Sequence, residues 1–175
     1  MKIRRAAAAD AALLTELTVS TFIEAYQELL PRPELTRFSK ERFPLAAIRE
    51  ELADAASSFF LAEAADGTAP GYLKMRLHPA PAAVKGPSPI ELSRIYLRRS
   101  AQGRGVGALL FRQALDCARG LGCRTLWLSV WEKNEKALGF YRKLGFREIG
   151  TQGFLYYDDR QTDLLLERPV EKGYN

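Results

Sequence analysis

Residues 102–107 read Gln-Gly-Arg-Gly-Val-Gly, three glycines and an arginine where a strand gives way to a helix. Glycine costs a helix about 1 kcal/mol relative to alanine, so three of them in an opening turn call for a role. The first four N–H groups of a helix lack internal partners and carry the positive end of its dipole. Glycines leave those groups bare, so an anion can seat directly on them, and Arg104 can add charge-assisted hydrogen bonds. The stretch reads as a phosphate cradle; the competing reading is a tight turn beside a closely packed helix. It lacks the Gly-Lys-Ser/Thr of a Walker-type loop, and glycines at 103, 105 and 107 do not give the G-x-G-x-x-G of a dinucleotide fold.

Charge points the same way. The 175-residue chain carries a net charge of +5. Residues 98–124 hold six arginines (Arg98, Arg99, Arg104, Arg112, Arg119, Arg124) against the single acid Asp116, which accounts for the whole excess. Nucleic-acid binders spread their basic residues more widely and interleave aromatics. A local excess suits a compact polyanion instead, and no nucleic-acid partner is expected. Asp10 and Glu16 interrupt the alanine-rich start, which argues against a signal peptide. No uncharged stretch nears the length of a bilayer span, so no membrane partner is expected. Cys117 and Cys123 fit no zinc, CxxC or disulfide framework, so no metal is expected and a reducing, cytoplasmic setting is. Length and composition predict a single globular domain over 1–175, and a homodimer is the default among homo-oligomers.

The cradle needs elements to hold it. Residues 2–6 predict a short strand, and 8–30 a helical region stopped by Pro31 and Pro33. A second helix is predicted over 44–55. Residues 58–65, the turn 66–71 and 72–78 predict a hairpin, followed by a proline-marked loop. The alternating stretch 90–97 reads as a strand. In the helix after it, Val106, Leu110, Ala114 and Cys117 share one face. The apolar run 125–130 predicts a strand buried on both faces. Residues 134–146 predict another amphipathic helix, capped by Asn134 and ended by Gly145. Strands over 146–157 and 162–168 close the chain. The predicted fold is α/β, a mixed and mostly antiparallel sheet with a central parallel strand pair flanked by helices.

Gln102, Gly105 and Gly107 fit the Q/R-x-x-G-x-G/A signature of the GNAT superfamily of acyl-CoA N-acyltransferases. "ELSRIYL" before it and "NEKALGFYRKLGFRE" after it also resemble that family in order and spacing. The resemblance spans about residues 2–168 and is most specific over 90–149. It implies that acetyl-CoA is the co-substrate, its pyrophosphate held by the amides of Gly103, Arg104, Gly105, Val106, Gly107 and Ala108, helped by the Gln102 and Arg104 side chains. It further implies that the backbone of Ile95, Tyr96 and Leu97 pairs with the pantetheine arm like an added strand. Asn134 occupies a cofactor-contact position, a role compatible with capping its helix.

Direct acetyl transfer to an amine needs the amine deprotonated, the developing oxyanion stabilised and the departing thiolate protonated. The resemblance assigns the first task to Glu91, eleven residues before Gln102; the other reading is a carboxylate paired with Arg94 or Arg76. It assigns the third to Tyr141, which also belongs to the apolar stripe of its helix. A backbone N–H of Tyr96 or Leu97 would meet the oxyanion. His78, beside Pro79 in the loop, has no partner motif and reads as structural. Cys117, on the apolar helix face, reads as a buried thiol.

For the acceptor, "TFIEAY" (21–26) and "LYYDDRQTDLLLER" (155–168) resemble bacterial spermidine/spermine N-acetyltransferases, with Asp158, Asp159 and Asp163 set to meet a polycation. The stretch "QELLPRPELTRF" departs from that subfamily. Peptide N-termini and other small-molecule amines remain open as acceptors. So does a non-catalytic acetyl-CoA-binding module, against which retention of both Glu91 and Tyr141 argues.

Overall fold

Pro31 and Pro33 do more than stop a helix. In the computed structural model, which describes residues 1–171, helix α1 covers Ala11–Tyr26 and a separate helix α2 covers Arg32–Arg42. Pro31 is the N-cap of α2 and Pro33 lies in its first turn, where a missing N–H has no helical partner to lose. The single helical region expected over 8–30 is therefore shorter, and the helix following it was not anticipated. A further helix, α3, spans Leu45–Ala53 behind a second proline cap, Pro44.

The strands are β1 (Lys2–Arg5), β2 (Ser57–Glu63), β3 (Gly71–Arg76), β4 (Pro89–Leu97), β5 (Thr125–Trp131), β6 (Arg147–Tyr156) and β7 (Asp159–Pro169). Helix α4 (Val106–Gly120) follows β4, and α5 (Glu135–Lys143) follows β5. The strand order is β1-β2-β3-β4-β5-β7-β6, with β4 and β5 parallel and the pairs β1–β2, β2–β3, β5–β7 and β7–β6 antiparallel. This is the mixed sheet with a central parallel pair that the sequence predicts. The chain forms two compact units, Met1–Arg76 with Arg94–Ala114, and Leu77–Ser93 with the chain from Leu115 onward. Strand β4 and helix α4 run through both.

In the first unit Leu14 and Leu17 of α1, Phe43, Ile48 of α3, Phe59 and Leu61 of β2 and Tyr72 of β3 form the core. A buried ionic group lies beside it. Arg94 forks onto Glu51, Nη1 to Oε2 at 2.7 Å and Nη2 to Oε1 at 2.8 Å, and Lys74 Nζ stands 3.0 Å from the same carboxylate. The Arg94 guanidinium lies 4.7 Å from the Phe43 ring centre, and Lys74 Nζ 5.4 Å from that of Phe59. Burial raises the Glu51 pKa, but Arg94 and Lys74 outweigh it and hold the carboxyl below its ordinary value. Two cations on one carboxylate make Glu51 the member whose removal leaves buried charge uncompensated.

Glu51→Gln is expected to destabilise the fold by about 2–3 kcal/mol, less than a fully buried pair because the Glu51 side chain is 24% exposed. Because the folded pKa lies below the unfolded one, the ion pair contributes fully above about pH 4.3 and is lost as pH falls through the folded value. Urea unfolding from pH 7 down to pH 3 checks both points: the variant should show the deficit at neutral pH and a shallower loss of stability in acid.

In the second unit both predicted helix signals hold. Asn134 Oδ1 accepts the Ala137 N–H at 3.1 Å, and Gly145 adopts φ +82°. The N–H of Phe146 reaches the Tyr141 carbonyl and that of Gly145 reaches the Arg142 carbonyl, which closes the helix end in a Schellman motif. The Tyr141 and Phe146 rings meet edge to face at 5.6 Å across that turn.

Candidate active site

The glycine loop lies in the first unit. A short 3-10 turn, Arg99–Ala101, leads out of β4, and Gly103 and Gly105 then take φ +73° and +78°. At both positions a Cβ would meet no other atom within 4 Å, so the backbone conformation rather than crowding demands glycine. The open space beside each leaves room for phosphate oxygens. The Leu109 N–H donates to the Gly105 carbonyl, so the amides of Val106, Gly107 and Ala108 precede that first helical bond. Gln102 turns its Nε2 to the Leu97 carbonyl at 3.2 Å, which ties the loop to the end of β4. Arg104, between the two left-handed glycines, is exposed.

The charge around this loop is smaller in space than along the chain. Arg98 Nη2 donates to both oxygens of Glu16, at 2.7 and 2.9 Å, and Arg99 Nη2 to Glu28 at 2.6 Å. The Arg99 amide donates to Glu24 as well. Acids of α1, distant in sequence, thus neutralise Arg98 and Arg99, while Arg119 pairs with Asp116 on its own helix. Of the six arginines, Arg104 is the one inside the glycine loop itself.

Strand β4 carries the other candidates. Gly71 of β3 exists for its sake: a Cβ there would stand 2.6 Å from the Tyr96 carbonyl oxygen. The parallel ladder with β5 runs from Pro89 opposite Thr125 to Glu91 opposite Trp127, and β4 continues to Leu97 through the half-buried Ile95 and Tyr96. Glu91 therefore stands at the end of that ladder, in the second unit. Its partner is neither Arg94 nor Arg76. The imidazole Nε2 of His78 lies 2.9 Å from Glu91 Oε2, whereas Arg94 is committed to Glu51. His78, expected to be structural for want of a partner, has one.

Tyr141, also in the second unit, is buried, its ring 5.5 Å from Phe140 and 5.6 Å from Phe146. Cys117, expected to be buried, is only half-buried at the edge of the α4 stripe. Among the predicted acids, Asp158 and Asp159 are exposed where a two-residue turn joins β6 to β7. Asp163 is half-buried on β7; burial pushes its carboxyl up, against hydrogen bonds from Ser129 and Gln152. Among the described residues no cluster of His, Cys, Asp and Glu could hold a metal ion, and no helix is long and apolar enough to cross a membrane.

The sequence model of the Acetyltransferase (GNAT) family matches residues 20–146. The chain belongs to that family. An uncharacterized N-acetyltransferase of Lactobacillus delbrueckii subsp. lactis is 32% identical over 170 residues, covering 97% of this chain and 98% of the relative. An aminoglycoside N(6')-acetyltransferase of Stenotrophomonas maltophilia is 30% identical over 156 residues, 89% and 90% of the two chains. The crystal structure of the PaiA N-acetyltransferase from Thermoplasma acidophilum in complex with coenzyme A superposes with a TM-score of 0.81 at 20% identity, over 96% of this GNAT chain and 98% of that one. That last likeness is one of fold. As a GNAT N-acetyltransferase the chain is an acyl-transfer enzyme, and its glycine loop and α4 N-terminus fall inside the matched segment.

Proposed function

We propose that the protein transfers an acetyl group from acetyl-CoA to a primary amine of a small polycationic acceptor, with polyamines such as spermidine and spermine as the favoured class. The observation that carries the transfer reaction is the glycine loop at the start of α4, where two left-handed glycines leave open space beside the helix N-terminus. Bound acetyl-CoA supplies the thioester carbonyl and a leaving thiol. The amides of residues 103–108 and the Arg104 side chain hold its pyrophosphate, and the backbone of Ile95, Tyr96 and Leu97 orients the arm. Glu91 takes the proton from the amine, Tyr141 returns one to the thiolate, and the N–H of Tyr96 or Leu97 polarises the carbonyl. Asn134 contacts the cofactor while capping α5.

The acceptor reading is supported by carboxylates: Glu91 and Asp163 are partly buried, and Asp158 and Asp159 are exposed at the β6–β7 turn. A second class, aminoglycoside-like amines, is favoured by the similarity to the Stenotrophomonas maltophilia enzyme. Thiol release from acetyl-CoA against spermidine, spermine, an aminoglycoside and a peptide with a free N-terminus separates them. The highest kcat/KM should fall on a polyamine. A preference for the peptide overturns the polycation assignment, and no thiol release with any amine favours a binding module.

Tyr141→Phe tests the thiolate step. A thiol of pKa about 8.5 yields a tolerable leaving group unassisted, so the proton helps without being indispensable. The variant should lower kcat about 10- to 10³-fold, while Tm and acetyl-CoA affinity stay close to wild type because the apolar ring remains. Wild-type turnover where chemistry is rate-limiting makes Tyr141 a core residue.

A further inference from the structure

His78 is the only histidine in the chain, and it stands against the carboxylate read above as the base. It lies two residues beyond the end of β3, with its Nε2 2.9 Å from Glu91 Oε2. The contact is partly desolvated: the two side chains are 27% and 15% exposed. The imidazole packs at 58° against the Trp127 ring, centres 5.3 Å apart, and Trp127 is itself the partner of Glu91 in the β4–β5 ladder. An ionised carboxylate can only accept, so Nε2 carries the proton of this hydrogen bond. The ring is thus braced on one side by an indole and on the other by the strand residue it holds.

We propose that His78 is a positioning residue for amine deprotonation: its Nε2–H fixes one oxygen of Glu91, leaving the second to receive the proton of the acceptor ammonium. The inference rests on the reading of Glu91 as the base. In the step itself an ammonium N–H bond breaks, an O–H bond forms on Glu91 Oε1, and the electron pair left on nitrogen becomes the nucleophile. The proton then passes to water and Glu91 is restored; His78 ends the cycle as it began. Its other neighbours carry no charge free to compete for the contact. From β5 it meets Trp127, which does not titrate. On β7, Glu167 faces Trp127 in register but is buried and held by Arg147 at 2.9 Å and by the Lys85 amide.

A lone histidine makes the test direct, because one imidazole signal in the NMR spectrum of the full-length protein is His78. Two measurements are combined: the His78 imidazole resonances in wild type and Glu91→Gln, and kcat/KM for wild type, Glu91→Gln, His78→Gln and His78→Phe. The Nε2–H resonance should move in Glu91→Gln, where its anionic acceptor is gone. His78→Phe keeps the packing on Trp127 but not the donor, and should lower kcat/KM roughly tenfold or more. His78→Gln restores an N–H donor and should recover most of that loss. A His78 resonance unmoved by Glu91→Gln overturns the pairing itself. A His78→Phe variant as active as wild type, with Glu91→Gln impaired, overturns the role of His78 and leaves Glu91 as base. An unimpaired Glu91→Gln overturns the base assignment, and the role of His78 with it.

Discussion

Gly105→Glu is expected to abolish the thermal stabilisation that CoA gives the wild-type protein. A ligand present at a hundred times its Kd stabilises by about 2.7 kcal/mol, which for a chain of this size raises Tm by roughly 5–10 °C. The substitution puts a carboxylate at the start of α4, the place proposed for the pyrophosphate, so charge repulsion and occupied space act together. It also carries a cost unrelated to binding, because Gly105 holds φ +78° and a side chain there is strained by about 1–2 kcal/mol. Gly67→Glu separates the two effects. Gly67 has φ +81° and equally open surroundings but belongs to the β2–β3 turn, so that variant should lose a similar amount of basal stability and keep its CoA-induced shift. Calorimetry with and without CoA reads both. A shift in Gly105→Glu equal to that of the wild type would remove the loop from the cofactor site.

Glu91→Gln is expected to lower kcat/KM by about 10²-fold or more. An alkylammonium of pKa near 10.4 leaves roughly one amine in 10³ neutral at pH 7, and a carboxylate held within reach of the ammonium offsets that deficit. The amide of glutamine keeps the shape and cannot take the proton. Its rate should therefore climb with pH toward the pKa of the amine, where the wild-type rate has already levelled off. Binding of acetyl-CoA should be unchanged, because the glycine loop belongs to a different stretch of chain. Stopped assays across pH 6–10 at saturating acetyl-CoA distinguish a missing base from a damaged fold, since damage lowers the whole curve without changing its shape. An unaltered curve at full height would leave Glu91 as the anchor of His78 and nothing more.

What the chain determined by itself was local. The glycines of 102–107 and Gly145, the Asn134 cap, the apolar run of β5 and the stripe of α4 each depend on neighbours within a few residues. Orphan helix amides, capping and side-chain periodicity act at that range, so the glycine-loop helix start and the elements around it were legible in the sequence. The second helix, α2, was missed at the same range for a simple reason: a proline that ends one helix is equally suited to begin the next. The tertiary structure alone decided the partners. Arg94 meets Glu51 across 43 residues, Arg98 meets Glu16 across 82, and Glu91 takes His78 rather than the arginine on its own strand. Ion pairs of this kind obey no sequence spacing, because each charge pairs with whichever opposite group the fold brings within about 3 Å, and burial strengthens that choice where, as at Arg94 and Glu51, the pair is shielded from water. A formal charge counted along residues 98–124 thus became a smaller one in space. A histidine without a motif became the hydrogen-bond partner of the candidate base.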